Sequence, residues 1–307
     1  MTARVALPPE VVVLERGWLS SNNILFLGRE ETALVDTGYA THSDQTIALV
    51  ADRLGQRPLD LLFNTHLHSD HCGGNAALQV RYPRMRTRIP PGEADLVQNW
   101  DEEGLSFRAT GQHCPQFRFD GLLVPGQEVI LGNRTWQVHG APGHDPHSIV
   151  LFEPQSQTLI SADALWEHGF GVVFPELAGE PSFAEVAATL DLIEVLAPLC
   201  VIPGHGAVFD DVAGALSEAR ERLEFFVRMP LKHARHALKV LMKFKLLDAR
   251  SMNIGEWDGW VQGTPYLDAI RMRFFPTSTL EQLSSEILLE LIRSGAASAD
   301  REYIRNC

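Results

Sequence analysis

A chain of 307 residues, 45% hydrophobic and 21% charged, is ordinary globular material with room for one large domain and a smaller one, which excludes a disordered, collagenous or coiled-coil protein. Its formal charge of −13 is uneven: residues 1–230 hold 15 Lys+Arg against 30 Asp+Glu, while residues 231–307 hold 11 against 9 and carry every lysine (Lys232, Lys239, Lys243, Lys245). So acidic a body repels nucleic acid at long range and disfavours it as a partner.

Met1 to Pro9 contains no apolar run of signal-peptide length, and no stretch is apolar enough to span a bilayer, so the expectation is a soluble cytoplasmic protein with no membrane partner. Cys72, Cys114, Cys200 and Cys307 form no CxxC pair, which argues against both a disulfide framework and a thiolate metal site.

In chain order, Val11–Leu14, Asn23–Leu27 and Thr32–Asp36 read as successive strands, Thr41–Leu54 as a helix ending at Gly55, and Leu59–Phe63 as a buried strand. Further strands are expected at Glu128–Leu131, Thr135–His139, Ile149–Phe152 and Thr158–Ser161. Phe183–Leu196 has the pattern of an amphipathic helix, and Leu199–Ile202 of one more buried strand. After Phe209 the character turns helical: Val212–Val227, a basic helix over Leu231–Leu247, and Ser278–Ser294, followed by a short hairpin with arms at Ala296–Ala299 and Glu302–Ile304. Strands first and mixed strand and helix afterwards predict an α/β sandwich, with domains at residues 1–228 and 229–307. The second would be mainly helical, with a hairpin that suggests a winged helix.

The chemical signal is His66-Leu67-His68-Ser69-Asp70-His71, directly after a buried strand. Imidazole and carboxylate together suit zinc and similar borderline ions. On an extended loop His66 and His68 point the same way and can share one ion, and the turn that follows aims Asp70 and His71 toward a second. Gly73-Gly74 lets the backbone bend tightly beside them.

The run His66 to Gly74 resembles the signature of the metallo-β-lactamase superfamily, particularly its glyoxalase II-like members. The resemblance implies an αββα sandwich and three more ligands. His144 in Pro142-Gly143-His144, Asp163 ending Ile160-Ser161-Ala162-Asp163, and His205 in Pro203-Gly204-His205-Gly206 match those positions. It further implies that His66, His68 and His144 hold one metal, that Asp70, His71 and His205 hold the other, and that Asp163 bridges them. Asp36, in Val35-Asp36-Thr37-Gly38, would support the metal loop from behind. Two zinc ions are the implied cofactor, with iron or manganese as substitutes. The implied reaction is attack by a bridging hydroxide on a small acyl substrate (thioester, lactone or activated ester), with Asp70 orienting the nucleophile and handling its proton.

Three alternatives are weighed. A phosphodiesterase or ribonuclease draws on the basic tail helix, against the acidic body. An iron-dependent persulfide dioxygenase needs fewer ligands than the seven found. A scaffold with a vestigial site has no reason to keep a full ligand set. Among the remaining residues, Trp166 and His168 are candidates to line the substrate pocket, while His147 is a neighbour of the ligands by spacing. Cys72 reads as a small buried thiol and the arginines 81, 84, 86 and 88 as a solvated surface. Trp257, Trp260, Tyr266, Phe274 and Phe275 are expected mostly in the small domain's core, with some open to capping the pocket or making a homodimer contact.

Overall fold

The computed structural model describes residues 7–17 and 20–307, so most of the Met1–Pro9 stretch lies outside the described residues. Strands β1 (Val11–Leu14), β2 (Asn23–Leu27) and β3 (Thr32–Val35) form an antiparallel meander. Helix α1 (Ser43–Leu54) then returns the chain so that β4 (Leu61–Phe63) runs parallel to β3. Helices α2 (Ser69–Cys72) and α3 (Asn75–Arg81) lead into β5 (Arg86–Ile89), and α4 (Ala94–Asn99) precedes β6 (Gly121–Leu122), completing a six-stranded sheet.

The second sheet is built from β7 (Glu128–Leu131), β8 (Arg134–Gly140), β9 (Ile149–Glu153) and β10 (Thr158–Ala162). After α5 (Phe174–Ala178) and α6 (Ser182–Leu196), β11 (Cys200–Pro203) pairs in parallel with β10, giving the order β11-β10-β9-β8-β7.

The two-residue period of a strand decides the layering. Ile24, Phe26, Ala33, Val35 and Phe63 face Trp136, Val138, Ile149, Leu151 and Ile160 across the inter-sheet core. The alternate residues Leu25, Leu34 and Leu62 turn outward onto Val50, Leu54 and Leu78 of α1 and α3. On the far side Val150, Phe152 and Leu159 pack on Val186, Leu190 and Ile193 of α6 and on Ala215, Leu216 and Ala219 of α7 (Val212–Arg228). The central strands of both sheets are thus buried on both faces, and the layers are αββα.

The tail begins with α8 (Pro230–Ala249), followed by β12 (Ser251–Asn253), α9 (Ile254–Gly263), α10 (Pro265–Phe274) and α11 (Leu280–Arg293). It ends in the hairpin β13 (Ala297–Ala299) and β14 (Tyr303–Asn306), against which β12 adds a third strand in the order β12-β14-β13. Capping boxes at Asn253/Glu256 and Thr279/Gln282 start α9 and α11. The tail's hydrophobic cluster, centred on Leu238, Leu241, Trp257, Ile270 and Ile287, also takes in Val172 and Leu177 from the segment that follows β10. The tail is therefore seated against the sandwich.

Several elements were not read from the sequence, and two segments show why. Arg86–Ile89 is an interior strand: Thr87 and Ile89 are buried while Arg86 is exposed and pairs with Glu31, so alternation places the arginine on the wet face of a strand. Residues 254–274, read only as an aromatic concentration, are two helices, with Gly255, Gly259 and Gly263 thinning the apolar period of the first.

Candidate metal centre

All seven predicted ligands stand at the C-terminal ends of strands or just beyond them. His66 and His68 follow β4, Asp70 and His71 lie in the short α2, and His144 follows β8. Asp163 and His205 come directly after the parallel neighbours β10 and β11. A register shift between Ile160 and Ala162, with Ala162 at φ +47°, turns Asp163 out of the ladder and into the cluster.

Three groups gather here: His66, His68 and His144; His66, His71 and Asp163; Asp70, His71 and His205. Within each, the ligand atoms lie inside 4.8 Å of one another. The His144 Nε2 is 2.9 Å from His68 Nδ1 and 3.4 Å from Asp163 Oδ2. The other Asp163 oxygen is 3.5 Å from His71 Nε2, and Asp70 Oδ2 is 3.0 Å from His205 Nε2. Asp163 thus stands between the two histidine groups.

Burial tests whether cations fit. The Nε2 atoms of His66 and His71 are buried without a hydrogen-bond partner, a costly state for imidazole unless an ion takes the lone pair. Burial and the neighbouring His71 and His68 push His66 well below the usual histidine range, and burial with His68 brings His144 down to about 4. Both rings are therefore neutral near pH 7, with a lone pair to offer. For Asp163 burial acts upward, but His205 and His71 hold the carboxylate well below its ordinary value, so it stays ionised. Asp70 is held low in the same way by His71 and His205. Burial would lower His71, yet Asp163, Asp36 and Asp70 together raise it well above 6.5, marking a place where positive charge is stabilised.

Behind the ligands, Asp36 sits at φ +59° and accepts three hydrogen bonds: from the Thr65 N–H (2.9 Å), the Thr65 hydroxyl (2.8 Å) and His71 Nδ1–H (2.8 Å). One carboxylate thereby fixes the start of the ligand loop and the tautomer of a histidine near its end. The His144 Nδ1–H donates to the Val172 carbonyl at 2.6 Å, leaving Nε2 to face the cluster. Trp166 donates its Nε1–H to Asp163 Oδ1 at 3.2 Å and meets the His205 ring edge-on at 5.5 Å.

His168 does not reach the ligands: its side chain is 75% exposed and pairs with Glu218 at 3.0 Å, though it borders the same groove as Trp166. His147 and His113 are exposed, and His139 hydrogen-bonds to Gln137. Cys72 is buried with its Sγ 3.7 Å from that of Cys114, and burial pushes its thiol up, away from a metal-binding thiolate.

The tail lies over this site through residues the sequence reading left open to capping the pocket, Trp260 and Tyr266, and through Phe244, which it did not single out. Phe244 of α8 stacks on His205, Thr41 hydrogen-bonds to Asp248, the Trp260 Nε1–H donates to the Gly111 carbonyl, and the Tyr266 hydroxyl donates to the Phe174 carbonyl. Trp257 stays in the tail's own core.

Layered sheets with a histidine–aspartate cluster at their strand ends define a metal-centre scaffold. The profile of the "Metallo-beta-lactamase superfamily" matches residues 16–205, and the chain belongs to that superfamily. Among similar proteins, a hydroxyacylglutathione hydrolase of Synechococcus sp. (strain JA-3-3Ab) is 32% identical over 165 residues, 53% of this chain and 56% of the relative. The chain thus spans little more than half of that relative's length. The acyl-coenzyme A thioesterase MBLAC2 of Homo sapiens is 27% identical over 224 residues, 64% of this chain and 78% of the relative. A metallo-beta-lactamase family protein of Thermus thermophilus superposes with a TM-score of 0.58 at 20% identity, over 98% of this chain and 100% of its own. The protein TTHA1623, solved in a di-iron-bound form, superposes with a TM-score of 0.54 at 26% identity, over 68% of this chain and 98% of its own.

Proposed function

We propose that the protein is a hydrolase working through two metal ions on a small acyl substrate, a thioester first, with lactones and activated esters behind it. The observation that carries this reading is the buried Nε2 of His66, without a hydrogen-bond partner, in a cluster where the ionised carboxylates of Asp70 and Asp163 face His71 and His205. His66, His68 and His144 would hold one ion, Asp70, His71 and His205 the other, with Asp163 shared. When bound, such ions supply Lewis acidity and lower the pKa of water toward neutrality.

The remaining work belongs to the chain. Asp70, kept ionised, offers Oδ2 to orient the attacking water and take up its proton. Asp36 and the Val172 carbonyl hold the histidine rings in place, and Phe244 and Trp166 keep bulk water off His205. The acyl-coenzyme A thioesterase and hydroxyacylglutathione hydrolase names of the relatives support acyl chemistry. Nitrogen and oxygen donors without thiolate suit zinc, with iron, which a similar protein binds as a di-iron pair, and manganese as the substitutes.

The ribonuclease reading is weaker because α8 uses its cations internally. Arg235 and Lys239 pair with Glu290, Lys245 with Asp248, and Lys243 donates to the Ala296 carbonyl, to a backbone oxygen of Cys307 and to Asn306. We read residues 1–228 as the catalytic domain and 229–307 as a winged-helix-like domain whose wing is the β13–β14 hairpin. Four free cysteines among the described residues favour the reducing cytoplasm. Among the described residues no helix is long and apolar enough to cross a membrane.

The test is the metal content of protein purified without chelator, beside an Asp163→Ala variant, followed by assays on thioester, lactone, phosphodiester and persulfide. About two zinc ions per chain, lost in the variant, with thioester turnover, is the expected result. One iron with persulfide oxidation would replace this reading.

A further inference from the structure

A groove of about 460 Å³ lies between α7, α8 and the loop after β10, on the tail side of the metal centre. Its volume is in the range of small-molecule sites, and its surface is mostly apolar. Val172, Val240, Leu247 and Leu291 supply its aliphatic wall. Its inner end is formed by residues already in contact with ligands: Trp166 on Asp163 and His205, Phe244 on His205, and Val172 through the carbonyl that holds His144.

Charge distinguishes this groove from a core defect. Arg222, Lys239 and Lys243 line it and no Asp or Glu among the described residues does, in a protein of net charge −13. Lys239 is partly offset by Glu290 and His168 at the rim by Glu218, while Lys243 donates to Asn306 and to backbone oxygens of Ala296 and Cys307. Arg222 donates to the His168 carbonyl, a neutral acceptor that leaves the guanidinium charge intact. His236, brought down to about 4 by burial and by Arg222 and Lys239, adds no charge at neutral pH.

We propose that this groove is a binding site for an amphipathic anion: an apolar chain lying along Val240, Leu247 and Leu291, with its acidic head at Arg222 and the neighbouring lysines. Resting on the acyl-hydrolase reading, this narrows the substrate class to acyl compounds that combine a long apolar segment with an anionic group. A neutral short ester leaves both the aliphatic wall and the cations unused.

Calorimetric titration of the metal-loaded protein with decanoate, decyl phosphate and decanol, all below their aggregation limits, tests the site without turnover. Either anion is expected to bind at least about tenfold more tightly than decanol, a difference near 1.4 kcal/mol. Val240→Trp, which fills the half-buried wall, and Arg222→Gln are each expected to weaken anion binding about tenfold, with both variants keeping the metal content and melting temperature of the parent. Equal binding of decanol would remove the anion from the proposal. Unchanged binding in Val240→Trp, or no binding of any probe, would overturn the site itself. Hydrolysis of a short acetyl thioester by the parent protein separates the two readings: turnover keeps the hydrolase whatever becomes of the groove, and anion binding without any turnover keeps the groove alone.

Discussion

The ring of Phe244 lies over the imidazole of His205, centroids 5.9 Å apart and planes 25° from parallel. A residue of the C-terminal helices thereby shields a proposed ligand delivered by the last strand of the sandwich. Phe244→Ala should cost about 1–2 kcal/mol of stability through lost apolar burial. It should also speed the loss of metal to a chelator several-fold. Unfolding midpoints together with stopped-flow metal release check this, and unchanged release would separate the tail from the centre.

Asp36 holds both the Thr65 end of the ligand loop and the Nδ1 of His71. Asp36→Asn cannot accept both Thr65 donors and the His71 proton with a full charge. Metal affinity should fall about 10–100-fold while the fold persists. Competition against a chelating dye measures the drop, with circular dichroism as the control.

Gly204 lies between Asp163 and His205, and a methyl group on its Cα would collide with the Asp163 carboxylate and crowd His71. Gly204→Ala should therefore lose metal as completely as Asp163→Ala, although it removes no ligand. Metal analysis of the folded variant decides this.

How much of this was legible beforehand depended on whether a signal was local. His66 to His71 declared itself because its residues are adjacent, and His144, Asp163 and His205 were found because they close strands in the places the resemblance marks, two of them behind a Pro-Gly turn. Phe244 carried no such mark: it sits among the apolar residues of α8 and becomes special only when that helix lands on His205. The interior strand Arg86–Ile89 was hidden for a related reason, since arginine on its wet face masked a period-two pattern. His168 stood close to Asp163 in sequence, but the turn at 166–169 carries it out to Glu218.

The seam between the sandwich and the tail should make stability depend on acid. His233, packed between Phe183 and Phe226, and His236, stacked on Phe226, are both brought down to about 4, chiefly by burial. In the unfolded chain each takes a proton near pH 6.5, so between about 6.5 and 4 the unfolded state binds more protons and stability falls with pH. Urea unfolding at pH 7.5 and 5 should show this loss, and a His233→Leu/His236→Leu double variant should show less of it. Equal pH slopes in parent and variant would exclude these two groups.

Removing metal should loosen the sandwich rather than only silence it, because His66, His68, Asp70 and His71 come from one sheet and His144, Asp163 and His205 from the other. Ions held at about 100 times their Kd would add roughly 2.7 kcal/mol per site, seen as a lower melting temperature after chelation and its recovery on adding zinc, manganese or iron back.

The order of the ligands along the chain has one more consequence, in time rather than in space. A growing polypeptide possesses His66, His68 and His144 as soon as β8 has been made, before β10 and β11 exist. The group of Asp70, His71 and His205 waits for the crossover through α6. At about 5–20 residues per second, the stretch from His144 to His205 takes roughly 3–12 seconds to synthesise. The three-histidine group is therefore the first that could hold an ion on the nascent chain, the group with Asp163 follows, and the one with His205 comes last.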